Sequence, residues 1–299
     1  MQIQINQHEN RLHQEFINLF HQLGLPLHFN HTGNKDFTNY QRVALIILHI
    51  RSGKPLRTFL SDFCETKWSA WLGMKKIPKK STLHDWIKLF NMKLIRELNG
   101  LLIGKNIELA AVDGTGIDSW QRSRHYQKRI GDVPMPYVKL DIFIDVKRRK
   151  IIDFTVNSHR KADVKCAEQM FRRNNLNGIE ILGDGAYDCE WLHELVRGKK
   201  GKLYAPVRKR DKRSLRKTPK GRYRKLCVEL PVFMGQRSLV ENIFFVLKHT
   251  QISSLRSRKK LMKHRELGWH IVVYNLRRKI EQDKSSEIQS IIFWLFGFM

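Results

Sequence analysis

The order of segments after Gly104 constrains the fold of this chain more than any other feature. Three β-rich runs come first: ELAAVDGTGI (108–117), YVKLDIFIDV (137–146) and KIIDFTVNS (150–158). Polar turns separate them, and a tight KRR turn joins the last two. A helical pattern follows, DVKCAEQMFRR, with Cys166, Ala167, Met170 and Phe171 on one stripe and Asp163 as its expected cap. IEILGDG reads as a fourth strand and CEWLHELVRG as a second helix, with Asp188 as its expected cap. KLYAPVR is a fifth strand and RSLVENIFFVLK a third helix. The order β-β-β-α-β-α-β-α predicts an α/β fold: a mixed five-stranded sheet with helices on both faces.

Residues 1–104 have a different character. NYQRVALIILHI (39–50) is apolar on nearly every side, which predicts a central buried helix, and Gly53-Lys54-Pro55 ends it. In STLHDWIKLFNM, residues Leu83, Trp86, Ile87 and Phe90 recur at helical spacing, with Ser81 as the expected cap and His84, Asp85 and Lys88 facing outward. The expected division is an all-α domain at 1–104 and the sheet domain at 105–299. Two short helices with a basic entry, Lys79 and Lys80, are compatible with a DNA-binding helix-turn-helix. An ordinary helical bundle is the equal alternative.

Charge narrows the partners. The chain carries 56 Lys+Arg against 28 Asp+Glu, a formal net charge of +28, which predicts attraction to polyanions. From Arg197 to Lys225 there are 15 Lys/Arg and a single acid, Asp211. The middle of that stretch has no apolar periodicity and carries Pro and Gly. It reads as a basic loop at about 208–225, in which Lys209, Arg210, Arg213 and Arg222 are candidate contacts to a nucleic-acid backbone. Four cysteines without a CxxC pair make a zinc site improbable and fit unpaired thiols in a reducing compartment. The polar N-terminus lacks the apolar core of a signal peptide. The run SIIFWLFGFM (290–299) is shorter than the about 20 residues that span a bilayer. It reads as a segment docked on the protein's own core. The expected location is the cytoplasm, associated with the nucleoid.

Three acids then stand out. Asp113 follows Ala-Ala-Val and precedes Gly-Thr-Gly; Asp184 follows Ile-Leu-Gly and precedes Gly. Each is expected at the end of a central strand, with small neighbours leaving room for a substrate. Glu241 lies on the third helix. At about 100° per residue, it and Lys248 fall within about 40° of Arg237, on one face. Leu239, Val240, Ile243, Phe244 and Leu247 cover the arc that packs on the sheet. Clustered carboxylates repel, and a divalent cation is their natural compensation. Any one of these acids alone is more commonly a turn residue or half of an i,i+4 ion pair such as Arg237–Glu241. Their joint occurrence, in order, on the expected elements, favours a metal site. Asp141, Asp145 and Asp153 are read as turn-proximal or exposed-edge acids.

These residues resemble those of the DDE transposases of prokaryotic insertion sequences, over about residues 108–280. In the family's third motif a Tyr, an Arg, the catalytic Glu and a Lys stand at fixed spacings. Arg237, Glu241 and Lys248 match that spacing, and Met234 stands where the family has Tyr. GDGAYD around Asp184 is also typical. The resemblance implies a ribonuclease H-like catalytic domain in which Asp113, Asp184 and Glu241 are catalytic metal ligands. It implies two Mg²⁺ ions, with Mn²⁺ able to substitute, in the two-metal arrangement about 3.5–4 Å apart. Arg237 and Lys248 would contact the backbone of the element's end. The partners implied are double-stranded DNA, as transposon ends and target, and a second copy of the chain in a homodimer on DNA. The short Asp184–Glu241 interval leaves no room for the β-domain insertion of some relatives. The expected activity is cleavage at the element's ends followed by joining of the 3′-hydroxyl to target DNA. The alternatives are a nuclease of the same fold without joining activity and a catalytically dead DNA-binding regulator.

Overall fold

Five strands form one sheet in the order β3-β2-β1-β4-β5. They are β1 (Leu109–Asp118), β2 (Tyr137–Asp145), β3 (Lys150–Asn157), β4 (Glu180–Leu182) and β5 (Lys202–Tyr204). This computed structural model describes residues 2–29, 35–119, 137–208, 219–252 and 255–296, without the side chains of 2–6 and 286–296. β1–β2 and β2–β3 are antiparallel, whereas β1–β4 and β4–β5 are parallel. The mixed sheet matches the expected ribonuclease H-like arrangement. The antiparallel strands β2 and β3 are joined by a turn at 146–149. β4 and β5 are parallel to β1 and need crossover helices. Those crossovers are α7 (Asp163–Arg173) and α8 (Glu190–Gly198).

Side chains alternate across a strand. On one face of the sheet Ala110, Val112 and Phe143 pack against Met170 and Phe171 of α7 and Leu192 and Val196 of α8. The Phe143 and Phe171 rings meet edge-on at 5.3 Å. Asp113 and Thr115, the alternate residues of β1, face the other way, toward α9 (Leu239–Val246). That helix buries Val240, Ile243 and Phe244, and Leu247 follows in a π-helical turn, Leu247–Gln251.

The N-terminal helices are α1 (Gln2–Leu23), α2 (Asn39–Ser52), α3 (Leu56–Cys64), α4 (Trp68–Trp71), α5 (Lys80–Leu89) and α6 (Met92–Leu101). Helix α2 is buried along most of its length, as its all-round apolarity predicts. It opens with a capping box in which Thr38 Oγ1 accepts from the Gln41 N–H at 3.1 Å and Gln41 Oε1 accepts from the Thr38 N–H at 2.8 Å. It closes on Gly53 in the left-handed region, φ 62°. Thr38→Ala removes one half of that box and is expected to cost about 1 kcal/mol. Urea unfolding checks this, with Thr38→Ser retaining the parent value. Helix α5 buries Leu83, Trp86 and Ile87 and exposes His84, Asp85 and Lys88, as its stripe predicts.

Several local expectations are corrected. Helix α5 starts one residue before Ser81, after Lys79, without a side-chain cap. Asp163 is the first residue inside α7 rather than its cap, and Lys139 Nζ lies 2.5 Å from its carboxylate. Asp141, Asp145 and Asp153 are not exposed-edge acids; all are buried. Each has a cation: Lys139 at 3.0 Å, Arg148 at 2.8 Å and Arg173 at 2.9 Å. Buried carboxylates persist only when paired in this way.

The chain divides into two compact units, Met1–Leu102 with Arg265–Met299, and Ile103–His264. Residues 265–299 therefore do not sort with the sheet, as the expected 105–299 domain would have them. The helix that carries them, α10 (Lys260–Phe296), turns Trp269 toward Phe90, ring centroids 6.0 Å apart. Gly268 lets Ile95 and Met92 approach, and Asn275 donates to Asn99 at 2.7 Å with both residues fully buried. Lys279 pairs with Glu15 at 2.6 Å. The backbone of 290–296 is helical, while the expected docking of that run concerns side chains outside the described residues. No helix of the described residues is long and apolar enough to cross a membrane. All four cysteines are free.

Candidate active site

The parallel pairing of β1 and β4 ends with Ala111 opposite Leu182. Asp113 and Asp184 each stand two residues beyond that last pair, and the charge of Asp184 acts on the Asp113 carboxyl. Asp113 is not at the end of its strand, however. β1 runs on to Asp118 because β2 continues to pair with it, Ile142 opposite Asp113. Only on the β4 side does Asp113 mark an end, which opens that flank.

Backbone amides hold both carboxylates. Asp113 Oδ1 accepts the Gly114 N–H at 2.7 Å. Asp184 caps the short 3₁₀ turn Gly185–Tyr187, accepting the Ala186 N–H at 2.8 Å. Glu241 stands in the first turn of α9 with its side chain 60% exposed. Arg237 precedes it in a 3₁₀ segment, Val232–Ser238. Its guanidinium spans two of the three acids: Nη1 is 3.3 Å from Asp113 Oδ2 and Nη2 is 3.2 Å from Glu241 Oε1. Lys248, in the π-helical turn, donates to Thr115 Oγ1 at 2.7 Å. Single π-turns inside helices are frequent at functional sites.

The acids feel one another. Burial pushes the Asp113 carboxyl above the usual carboxylate range, and the charges of Asp184 and Glu241 push the same way. The Gly114 N–H and the Arg237 guanidinium pull against them. Behind Asp113, on the opposite face, lies a second ionic cluster of Lys139, Asp141 and Asp163. It reaches close to the strand because residue 114 is glycine; a Cβ there would sit 2.6 Å from Asp141 Oδ1. Tyr187 is 1% exposed, and its hydroxyl has no hydrogen-bond partner among the described residues. Burial, then the charges of Asp113, Asp141, Asp163 and Asp184, raises its pKa well above that of an ordinary tyrosine.

Of the expected backbone contacts, Lys209, Arg210 and Arg213 lie outside the described residues. Arg222 is exposed, with its guanidinium 5.5 Å from the Tyr223 ring centroid. Nearby is an arrangement that sequence reading missed. Asp188 does not cap α8; Cys189 holds that position. Instead the fully buried Asp188 carboxylate takes two bonds from Arg224, at 2.5 and 2.6 Å, and the Arg208 N–H at 2.8 Å. Glu190 accepts the N–H groups of Tyr223 and Arg224 at 2.9 and 3.1 Å. Gly221 permits this, since a Cβ there would meet Glu190 Oε2 at 1.8 Å. Both flanks of the basic segment are thus tied to the element that follows Asp184.

Among the described residues no three His, Cys, Asp or Glu side chains are gathered closely enough to hold a metal ion. The donor chemistry nevertheless suits a hard divalent cation, which takes carboxylate oxygens. A positive group, the Arg237 guanidinium, is already seated between two of the three acids.

A family model described as a transposase DDE domain matches residues 104–276, more than half of the chain. A cryo-electron microscopy structure of a piggyBac transposase synaptic complex with hairpin DNA is similar at a TM-score of 0.47 and 11% identity. That match covers 93% of this chain and 73% of the other, a likeness too loose to carry a functional argument. No curated protein sequence matches the chain.

Proposed function

This chain belongs to the transposase DDE-domain family, and from that premise we propose that it cleaves DNA at the ends of an insertion sequence and joins the freed 3′-hydroxyl to target DNA. The observation that supports this reading is the Arg237 guanidinium bridging Asp113 and Glu241, with the charge of Asp184 also acting on Asp113, although the three acids are far apart in sequence. In the proposed site these three carboxylates would hold two Mg²⁺ ions, or Mn²⁺ in their place. When bound, the ions supply nucleophile activation and neutralise the charge on the leaving oxygen.

The protein's own groups do the rest. The Gly114 and Ala186 amides fix the Asp113 and Asp184 carboxylates before any ligand arrives. Lys248 and Arg237 supply positive charge to the phosphates flanking the scissile bond, and Thr115 orients Lys248. Arg222, with Lys209, Arg210 and Arg213, extends the basic surface along the DNA backbone, a contact that positions without reading sequence. Helix α5, entered through the exposed Lys79 and Lys80, is the proposed end-recognition element. Two ends must be cut and joined together, which calls for a homodimer on the DNA, and the DNA substrate places the protein at the nucleoid.

A joining assay tests the reading. Purified protein, Mg²⁺ and a pre-cut element end bearing a free 3′-hydroxyl are expected to yield a covalent joined product with a plasmid target. Hydrolysis without joining would replace the transposase with a nuclease. No metal-dependent strand breakage of any kind would leave only a DNA binder.

A further inference from the structure

We infer that Arg237 is a built-in stand-in for the active-site cation, exchanging with a divalent ion for the Asp113 and Glu241 carboxylates. The inference rests on reading Asp113, Asp184 and Glu241 as metal ligands, and adds what this chain does when no ion is there.

Four observations support the exchange. First, the guanidinium fork divides between the two acids, one nitrogen to each, at 3.3 and 3.2 Å. Asp113 has then committed both oxygens, Oδ1 to the Gly114 N–H and Oδ2 to Arg237. An ion arriving at Oδ2 meets a positive charge already in place, and like charges at that range repel.

Second, the bridge is accessible. The Arg237 side chain is 26% exposed and that of Glu241 60%, so solvent and ions reach the pair without unfolding.

Third, the two partners are mounted differently. Glu241 rides on α9, anchored by Val240, Ile243 and Phe244. Arg237 rides on the 3₁₀ segment Val232–Ser238, which buries none of its residues. A Cβ on Gly235 within it would meet nothing. A 3₁₀ run has poorer hydrogen-bond geometry than an α-helix. The arginine can therefore leave while the glutamate backbone stays.

Fourth, the other cation of the motif behaves differently. Lys248 rests on a neutral hydroxyl, Thr115 Oγ1, and among the described residues makes no ion pair with the three acids. The stand-in role thus falls to Arg237 alone among the two.

The consequence is a coupling between ion and nucleic acid. With no ion, Arg237 holds the acids together and is unavailable to phosphate. Entry of the ion frees the guanidinium at the edge of the site, where the scissile strand would lie. Site-to-site coupling of this kind typically runs roughly 5–150-fold.

Titration of the full-length protein with Mn²⁺ alone, without DNA, tests this by electron paramagnetic resonance of the free ion. Arg237→Gln is expected to bind Mn²⁺ about tenfold more tightly than the parent, inside that coupling range. Arg237→Lys, which keeps the charge but cannot fork to two carboxylates, is expected to fall between them and guards against a misfolded glutamine variant. Asp184→Asn placed on either background should abolish the tight site. Equal or weaker Mn²⁺ binding by both Arg237 variants, with the parent binding normally, overturns the inference while leaving the metal site standing. No Mn²⁺ bound by the parent or by any variant overturns the metal reading itself, and this inference with it.

Discussion

Asp184→Asn is expected to abolish strand cleavage, by at least about 10³-fold, while DNA binding stays close to that of the parent protein. The magnitude follows from the proposed role of Asp184 as a metal ligand, because a bound cation would stabilise the transition state by several kcal/mol, each about 1.4 kcal/mol being tenfold in rate. The substitution is close to isosteric. An asparagine Oδ1 can still accept the Ala186 N–H that the aspartate accepts at 2.8 Å, so the turn Gly185–Tyr187 keeps its cap. Electrostatic attraction to DNA persists, because the change removes a negative charge from a strongly cationic chain. Gel analysis of nicked DNA in Mg²⁺, beside fluorescence anisotropy of binding, separates the two effects. Undiminished cleavage would remove Asp184 from the site.

Arg224→Met is expected to destabilise the unit Ile103–His264 by about 3 kcal/mol, the low end of the range for breaking a buried ion pair from one side. The Asp188 side chain is fully buried and that of Arg224 only 14% exposed, so solvent does little to replace the lost guanidinium. The low end applies because the Arg208 N–H remains on the carboxylate. Burial alone would raise the Asp188 carboxyl; Arg224 and the Arg208 N–H outweigh it and hold the group below the usual carboxylate range. A depressed acid contributes stability above its unfolded pKa, about 3.9, and that stability is lost as pH falls through the lower folded value. Urea unfolding should therefore show the parent losing more stability than Arg224→Met on acidification below about pH 4. Equal curves for the two proteins would show that the pair contributes nothing. The variant should also loosen the basic segment, since Arg224 and Arg208 hold its two flanks to one carboxylate. Faster proteolysis between them would report this.

Much of the architecture was legible in residue order. All five strand runs appear as strands, and the α2, α5 and α7 stripes are buried as their spacing requires. These are local signals, because a periodicity of two or of about 3.6 shows which side of an element is apolar wherever that element ends up. The acids were harder to sort. Asp141, Asp145 and Asp153 look like Asp113 in the sequence, yet they are buried structural ion pairs. Their partners Lys139 and Arg173 carry no motif that announces the pairing. Arg224 was hidden for a similar reason, as one cation among the 15 between Arg197 and Lys225.

Composition and order by themselves determined an α/β chain with a strongly positive surface and three acids on separate elements. Tertiary structure alone decided that β2 carries β1 past Asp113, that Trp269 draws the C-terminal helix to the N-terminal unit, and that Arg237 lies across Asp113 and Glu241. Each of those depends on which distant residues meet. Strand pairing, burial and charge compensation are energies between residues far apart in the chain, and no local pattern of side chains contains them.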